Sequence, residues 1–261
     1  MKKTFLSLLG LISLFSLSGC NSITAVNIDG DPKVVKKELD SSITKFETDC
    51  LNVGKDAVIT YQYSKDETSI NMSYKSGLDE YGIDFQYGLG KLLVKTNSNQ
   101  QLTNTGLEIV VKGAFKELSL DGNYSFKFDG FGANQMNIVI NGNINFTGED
   151  FEAGSKYDIT VNGTSKMYAK GETDNLFLTI NGKANANFKE LVTKSSTIST
   201  QGASEVELSV TNTLAYTING SSHLAYYGSP QITQKVKNGL ATVSKKYSKT
   251  YPEFLYDEQN S

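Results

Sequence analysis

Few residues of this chain are of types that catalyse reactions. Its 261 residues include one histidine, two cysteines and no tryptophan. No positioned partner can be inferred for the histidine, His223, so we expect a solvated surface residue rather than a general base. Nucleophile-elbow and phosphate-loop motifs are absent from the sequence, and its histidine and cysteines are too few for a zinc site. The sequence therefore predicts no enzyme, no catalytic residue, no metal site and no cofactor.

Cys20 is the residue with the clearest chemistry. Lys2 and Lys3 precede an apolar segment over residues 5–17, which has signal-peptide length and is too short to span a bilayer. Small residues then lead into Cys20, and the run Leu17-Ser-Gly-Cys resembles the lipobox of bacterial lipoproteins. This predicts cleavage before Cys20 and a stable membrane anchor formed by diacylation, including palmitate-type chains. The alternative is an ordinary secretory signal with a chance cysteine.

Asn21 follows the cysteine where an Asp would resemble an inner-membrane retention signal. We therefore expect a lipid-anchored protein of the cell envelope. If the host has two membranes, the outer membrane or cell surface is favoured over the inner membrane. A lipidated Cys20 would leave Cys50 without a partner in its own chain. We then expect a buried free thiol, with pairing to another chain as the alternative.

Charge gives little support to nucleic-acid binding. All 25 cationic side chains are lysines and the formal net charge is -3. The planar fork by which arginine grips phosphate is therefore absent. We expect no nucleic-acid partner, whereas the oligomeric state is not determined by the sequence.

A repeat of about 20 residues begins near residue 118. Seven short strand-like runs end at glycines separated by 18 to 21 residues: Gly122, Gly142, Gly163, Gly182, Gly202, Gly220 and Gly239. Such a period is typical of a solenoid in which each repeat stacks on its neighbours.

The residues within each repeat alternate as in β-strands. Tyr157, Ile159 and Val161 share the parity of Gly163, whereas polar residues such as Asp158 and Asn162 take the opposite parity. Because this parity continues through the glycine, the pattern favours a parallel β-helix over an antiparallel meander of Asn-Gly hairpins. The parity breaks around residues 236–239, which predicts a bulge or a cap.

The residue before each repeat glycine forms an outward column. It is Asn at 141, 162, 181, 219 and 238, Asp at 121 and Gln at 201. The amides could hydrogen-bond along the stack, or asparagine could simply tolerate the corner conformation.

The ordered motifs resemble the bacterial GIN domain, the head domain of auto-transporter adhesins, over about residues 34–246. The runs that match its repeats are 140–146, 161–167, 180–186 and 218–224. Further matches are the opening strands 34–39, 43–46 and 57–63, the strands 90–96 and 107–122, and the closing Gly-x-Pro segment 227–232.

The resemblance implies a right-handed parallel β-helix at the cell surface with no established enzymatic activity. One departure concerns the family's repeated outward Asp, whose positions carry Ser125, Asn145, Lys166, Asn185, Glu205, His223 and Thr242. Since hard cations prefer clustered carboxylates, we carry over no metal site.

The expected domains are a signal peptide at 1–19, a lipidated tether at 20–30, the β-helix at 31–246 and a C-terminal tail at 247–261. For function we expect a binding surface for glycan or protein, with Tyr168, Phe177 and Tyr227 as binding residues and Phe131 as a further candidate. Scattered surface aromatics need no such role. A polysaccharide-active enzyme and a purely structural envelope component are the alternatives.

Overall fold

The computed structural model describes residues 25–129 and 134–247, except for the side chains of residues 150, 152 and 153. Cys20 and Phe131 lie outside the described residues, so the predictions made for them are not tested by the fold. Within the described ranges, no helix is long and apolar enough to cross a membrane.

The described chain is almost entirely extended, with one short 3₁₀ helix at Ser76–Tyr81. Its strands are β1 Ala25–Asn27, β2 Pro32–Glu38, β3 Lys45–Asp49, β4 Val58–Tyr63, β5 Ser69–Lys75, β6 Asp84–Gly88, β7 Lys91–Lys95, β8 Gln101–Thr103, β9 Glu108–Gly113, β10 Glu117–Asp129, β11 Gln135–Gly202, β12 Glu205–Gly220, β13 His223–Tyr227, β14 Gln231–Lys237 and β15 Thr242–Lys246. Strand β1 begins inside the range expected for the tether.

Successive coils pair in parallel and in register. Along β10 and β11 the pairing places Gly122 opposite Gly142, and along β11 and β12 it places Gly202 opposite Gly220. The coils form a β-solenoid of about six turns. The prediction of a parallel β-helix with coils of about 20 residues is therefore confirmed, and the antiparallel meander is wrong for the repeat region.

The alternating pattern sorts side chains between the interior and the surface as expected. Ile140, Val161 and Ile180 are completely buried, whereas the neighbouring Asn162 is half-buried and Asn181 is exposed. The coils thereby share one apolar core that runs through the whole stack.

Aromatic side chains fill one part of this core. The ring centroids of Phe128 and Phe151 lie 4.7 Å apart, as do those of Phe151 and Tyr157. Phe126 stacks on Phe146 from the adjacent coil at 5.7 Å. Such pairs add to the stabilisation that burial alone provides.

The N-terminal end of the solenoid departs from the parallel pattern. On one face the strand order from β10 outward is β4, β9, β5 and β2, with β5 and β2 antiparallel to their neighbours. On a second face it is β3, β7 and β6, with β6 antiparallel. Residues 69–88, with β5 and β6, are therefore built into this end, and β6 is an edge strand.

At the C-terminal end, β14 pairs with β12 and β15 pairs with β13, both in parallel. The β12–β14 register shifts between Leu214 and Ala215, which places a bulge in this last turn. The parity break seen in the sequence reflects this irregularity. Residues 248–261, most of the expected tail, lie outside the described part.

Candidate functional site

The repeat glycines form a tight corner in every coil. Gly163, Gly182 and Gly202 have φ values of 132°, 139° and 129°. A Cβ atom on Gly182 would lie 2.5 Å from the carbonyl oxygen of Gly163 in the preceding coil. Only glycine allows both this backbone conformation and this close approach.

A column of serines supports the chain just after the corner. The hydroxyl of Ser165 accepts a hydrogen bond from the amide of Ile144 and donates to the carbonyl of Gly142, at 3.3 and 3.4 Å. Ser204 repeats this arrangement with Ala184 and Gly182, at 3.3 and 3.1 Å. The hydroxyls thus bond to the backbone polar groups where the chain bends.

The asparagine column just before the corner forms an amide ladder. Asn162 donates to the side-chain oxygen of Asn141, and Asn181 donates to that of Asn162, both at 3.0 Å. Asn238 donates to Asn219 at 2.7 Å. Of the two interpretations of this column, stacking along the coil axis is the one that the structure shows.

The bend at these corners leaves a concave surface, which we call the corner groove. It has a volume of about 390 Å³ and crosses four successive coils. Its lining consists of residues one to three positions after the repeat glycines: Thr164, Ser165, Lys166, Lys183, Ala184, Asn185, Ala203, Ser204, Glu205, Ser221 and His223.

The groove carries both charges and neutral hydrogen-bonding groups. Lys166 and Lys183 are exposed, and neither forms an ion pair within the described part of the chain. Asn185 donates to the carboxylate of Glu205 at 3.1 Å. The groove thus offers two ammonium donors beside an amide–carboxylate pair.

His223 lies at one end of the groove and is half-buried. Its Nδ1 is 2.5 Å from the Thr242 hydroxyl, and its Nε2 is 3.4 Å from the Ser244 hydroxyl. His223 is thus a partly exposed surface residue with hydroxyl partners that the sequence did not reveal. The partners are hydroxyls of the next strand, β15, which orient the ring but do not supply the charge that a catalytic dyad would use.

The three predicted binding aromatics do not form one cluster. Tyr168 lies two positions after Lys166 on the same outward face and donates to the Glu190 carboxylate at 3.1 Å. Partial burial, together with this carboxylate, raises the pKa of Tyr168. Tyr168 is therefore a neighbour of the groove.

The other two aromatics lie elsewhere. Phe177 precedes the Gly182 corner, on a different side of the bend, and the Lys156 ammonium lies 4.7 Å from its ring centroid. Tyr227 is half-buried at the end of β13, opposite Ser209. Only Tyr168 is placed where it could extend the groove.

Cys50 lies near a small acidic cluster that the sequence did not reveal. Asp49, Cys50 and Asp121 each bring a potential ligand atom within 4.8 Å of the others. Cys50 is half-buried in the turn after β3, with a φ of 46°, and it is disulfide-bonded. The expectation of a buried free thiol is therefore wrong, because the residue occupies a turn rather than an inward strand position. A disulfide sulfur is not the thiolate that binds metals.

Asp121 is the unusual member of this cluster. Burial, with a smaller contribution from the Asp49 charge, raises the pKa of its carboxyl to about 6. We assign the cluster no ligand, since an acidic pair beside a disulfide lacks a metal-binding donor set.

Comparison with known proteins identifies one sequence family and several solved structures that share this architecture. The sequence model of the family described as "Putative auto-transporter adhesin, head GIN domain" matches residues 49–230. Among curated proteins, none is significantly similar in sequence.

Three solved structures share the fold. A "putative adhesin" from Bacteroides fragilis aligns with a TM-score of 0.72 and 15% identity over 85% of this chain and 100% of its own. A "putative adhesin" from Parabacteroides merdae aligns with a TM-score of 0.60 and 16% identity over 85% and 99%. A "putative lipid binding protein" from Parabacteroides distasonis gives 0.53 and 14% over 85% and 100%.

Proposed function

Because the chain belongs to the GIN-domain family of auto-transporter adhesin heads, we propose that it is a non-enzymatic adhesin of the cell envelope whose corner groove binds glycan. The single observation that carries this proposal is the polar groove itself, which crosses four coils of a stiff stack. Most of the lining side chains project from strands, and the others, at Ala203, Ser204 and Ser221, lie in two-residue bends between strands, so they are held ready for a ligand before it binds.

The chemistry of the lining suits sugars. Hydroxyls of Thr164 and Ser221, the amide of Asn185 and the carboxylate of Glu205 supply donors and acceptors for sugar hydroxyls. Tyr168 offers an aromatic ring at the edge, on which the apolar face of a sugar can stack.

The two lysines favour an acidic glycan. Lys166 and Lys183 come from adjacent coils, and together they outnumber the single acidic residue of the lining. A sugar carboxylate or sulfate would form charge-assisted hydrogen bonds with their ammonium groups. We therefore expect acidic glycans to bind more tightly than their neutral counterparts.

The same lining argues for binding rather than hydrolysis. Among the described residues that line the groove, only Glu205 carries a carboxylate. Most glycoside hydrolases use a pair of carboxylates that flank the scissile bond. A polysaccharide-cleaving activity would need groups that the groove does not bring together.

A glycan array containing matched neutral and acidic oligosaccharides, followed by titration of the best ligand, tests the proposal. Lys166→Ala combined with Lys183→Ala should weaken binding about tenfold or more. Lys170→Ala is the matched control, because this exposed lysine lies on the same strand outside the lining. Equal losses in the two variants, or release of reducing sugar by the wild-type protein, would overturn the proposal.

We further propose that Cys20 is the lipidated N-terminus and holds the protein in the envelope. The mass of the protein purified from its native membranes should correspond to residues 20–261 plus a diacylated, and in some hosts triacylated, cysteine. An intact Met1 terminus would contradict the anchor.

A further inference from the structure

The N-terminal end of the solenoid is made of three edge strands from different faces. β6 is the third strand outward from β10 on one face, and β2 is the fourth on another. Along the glycine corner, Leu51 pairs with Gly122, Leu102 bonds to Asn52, and β1 pairs with β8. β1 and β6 therefore lie at the same level, at the end of the stack where the chain enters.

The chain before β1 leaves little freedom if Cys20 carries lipid. β1 begins at Ala25. Five residues of fully extended chain reach roughly 17 Å. This is about half the thickness of a bilayer's hydrocarbon core, so the end that contains β1 must lie close to the lipid headgroups.

An apolar tip projects from this same end. The turn between β6 and β7 consists of Leu89 and Gly90, and Leu89 is fully exposed at 109%. Leu89 also has a φ of 50°, a left-handed conformation that is strained for a residue with a branched side chain. The two-residue hairpin requires a positive φ at both turn positions, and Leu89 fills the first of them with an exposed apolar side chain.

The neighbours of Leu89 extend the apolar tip. Tyr87 is 51% exposed, and the Lys37 ammonium lies 5.7 Å from its ring centroid. Tyrosine is enriched at membrane interfaces, where its ring lies among the headgroups, and lysine can extend its charge back toward water. This combination suits a lipid surface better than it suits bulk solvent.

The charges near the tip are mixed in sign and give no strong attraction to anionic lipid. The exposed Glu38 and Asp40 are acidic, whereas Lys37 lies over the Tyr87 ring and Lys91 follows the turn. Contact with the bilayer should therefore depend on apolar insertion and on the tether, rather than on Coulombic attraction, and it should persist at high salt.

We propose that the turn at Tyr87–Leu89 inserts into the membrane interface and fixes the solenoid with its N-terminal end against the bilayer. This inference rests on the proposed lipid anchor, which supplies the proximity. It gives the domain a defined orientation, with the corner groove on coils further from the lipid.

The absence of tryptophan allows a direct test with single-tryptophan reporters. Leu89→Trp places the reporter in the tip, and Leu240→Trp is the matched control at the opposite end, where Leu240 is 80% exposed. The full chain, purified with its own N-terminal segment, is reconstituted into phosphatidylcholine vesicles containing brominated acyl chains. Leu89→Trp emission should shift to shorter wavelength and be quenched, whereas Leu240→Trp should be unaffected. This difference in emission and quenching between the two variants should persist at high salt.

Failure of the anchor and failure of insertion give different results. If the native chain does not float with the vesicles, the proposed anchor is wrong. In that case, residues 21–261 with an N-terminal hexahistidine can be attached to nickel-chelating lipid. The two tryptophan variants of this protein then still test whether the tip inserts. Equal quenching of the two reporters, in either form of attachment, overturns the insertion.

Discussion

Asp121 occupies the first position of the outward column that is mostly asparagine in later coils. Its carboxyl is partly buried near Asp49, and its pKa is raised to about 6 from the usual 3.8. A raised carboxyl pKa means that the folded protein prefers the protonated form. The contribution of Asp121 to stability is therefore fully present below about pH 4 and is lost as the pH rises to about 6.

Replacing Asp121 with Asn should remove this cost. At pH 7 we expect Asp121→Asn to raise the free energy of unfolding by about 1–2 kcal/mol, allowing for solvent screening, and at pH 4 by much less. Denaturant titrations at the two pH values measure the difference. Asp49→Asn should give a smaller gain, because it removes only the Coulombic part, and a gain from Asp121→Asn that is equal at both pH values would contradict the explanation.

At the scale of the element, the corner depends on glycine for two separable reasons. Gly182 has a φ of 139°, and a Cβ there would meet backbone of the preceding coil at 2.5 Å. Gly88 has a similar φ of 147°, but a Cβ there would meet nothing within 4 Å.

This pair of glycines separates backbone strain from steric clash. Gly182→Ala should destabilise the protein by about 3 kcal/mol or more, whereas Gly88→Ala should cost only about 1 kcal/mol. Thermal or chemical unfolding of the two variants provides the comparison. Similar losses would mean that coil spacing adjusts freely and that the close approach is unimportant.

The serine column is interrupted in the coil of Gly182, where Ala184 takes its place. Ala184→Ser should restore hydrogen bonds to the backbone of Ser165 and Gly163, as Ser204 does one coil further on. We expect stabilisation of about 0.5–1 kcal/mol. Ala186→Ser, which places a hydroxyl at a fully inward position, should instead destabilise; a loss of stability in both variants would show that the column contributes nothing.

The coil elements were predictable because one pattern recurs. The parity of Tyr157, Ile159 and Val161 relative to Gly163 determines which side chains enter the core. The groove was not predictable, although Lys166, Asn185, Glu205 and His223 had been recognised as one outward column. Its concavity comes from the angle of each bend, which periodicity does not encode. The hydrogen bonds of His223 to Thr242 and Ser244 were unpredictable as well, because they depend on how the last coil stacks on the coil before it.

At the scale of the whole molecule, one continuous core joins ends that are less protected than the middle. β11 is hydrogen-bonded to strands of neighbouring coils on both sides, whereas most residues of β2 and β15 are exposed edge positions. Stability in a solenoid is a sum of local and nearest-neighbour contributions, so the ends should open first.

Hydrogen exchange of backbone amides tests this gradient. Amides in the repeats around Ile159 and Ile180 should exchange most slowly, and those of β2, β14 and β15 should exchange fastest. The Asp121→Asn variant should slow exchange chiefly in its own and adjacent coils. Uniform protection along the chain would instead indicate a single cooperative unit.

The N-terminal end was the part of the fold least accessible to sequence reasoning. No repeat glycine marks β5, β2 or β6, and their antiparallel pairing depends on which edges the first coils leave unpaired. β1, with only three residues, lay within the range expected for the tether. Its place is set by hydrogen bonds to β8, which lies more than 70 residues away in the sequence.

The position of β1 also determines how the anchored protein would respond to mechanical load. If the proposed anchor and the proposed ligand are correct, a cell held through the groove would pull on its lipid through β1, whose described strand pairing is with the three residues of β8. Tension along the stack acts parallel to these hydrogen bonds and opens them one after another, so that β1 peels away before the coils distort. Release of the three residues of β1 would lengthen the tether by about 10 Å. Under a sudden load, β1 would thus detach first, while the coils that carry the groove stay folded.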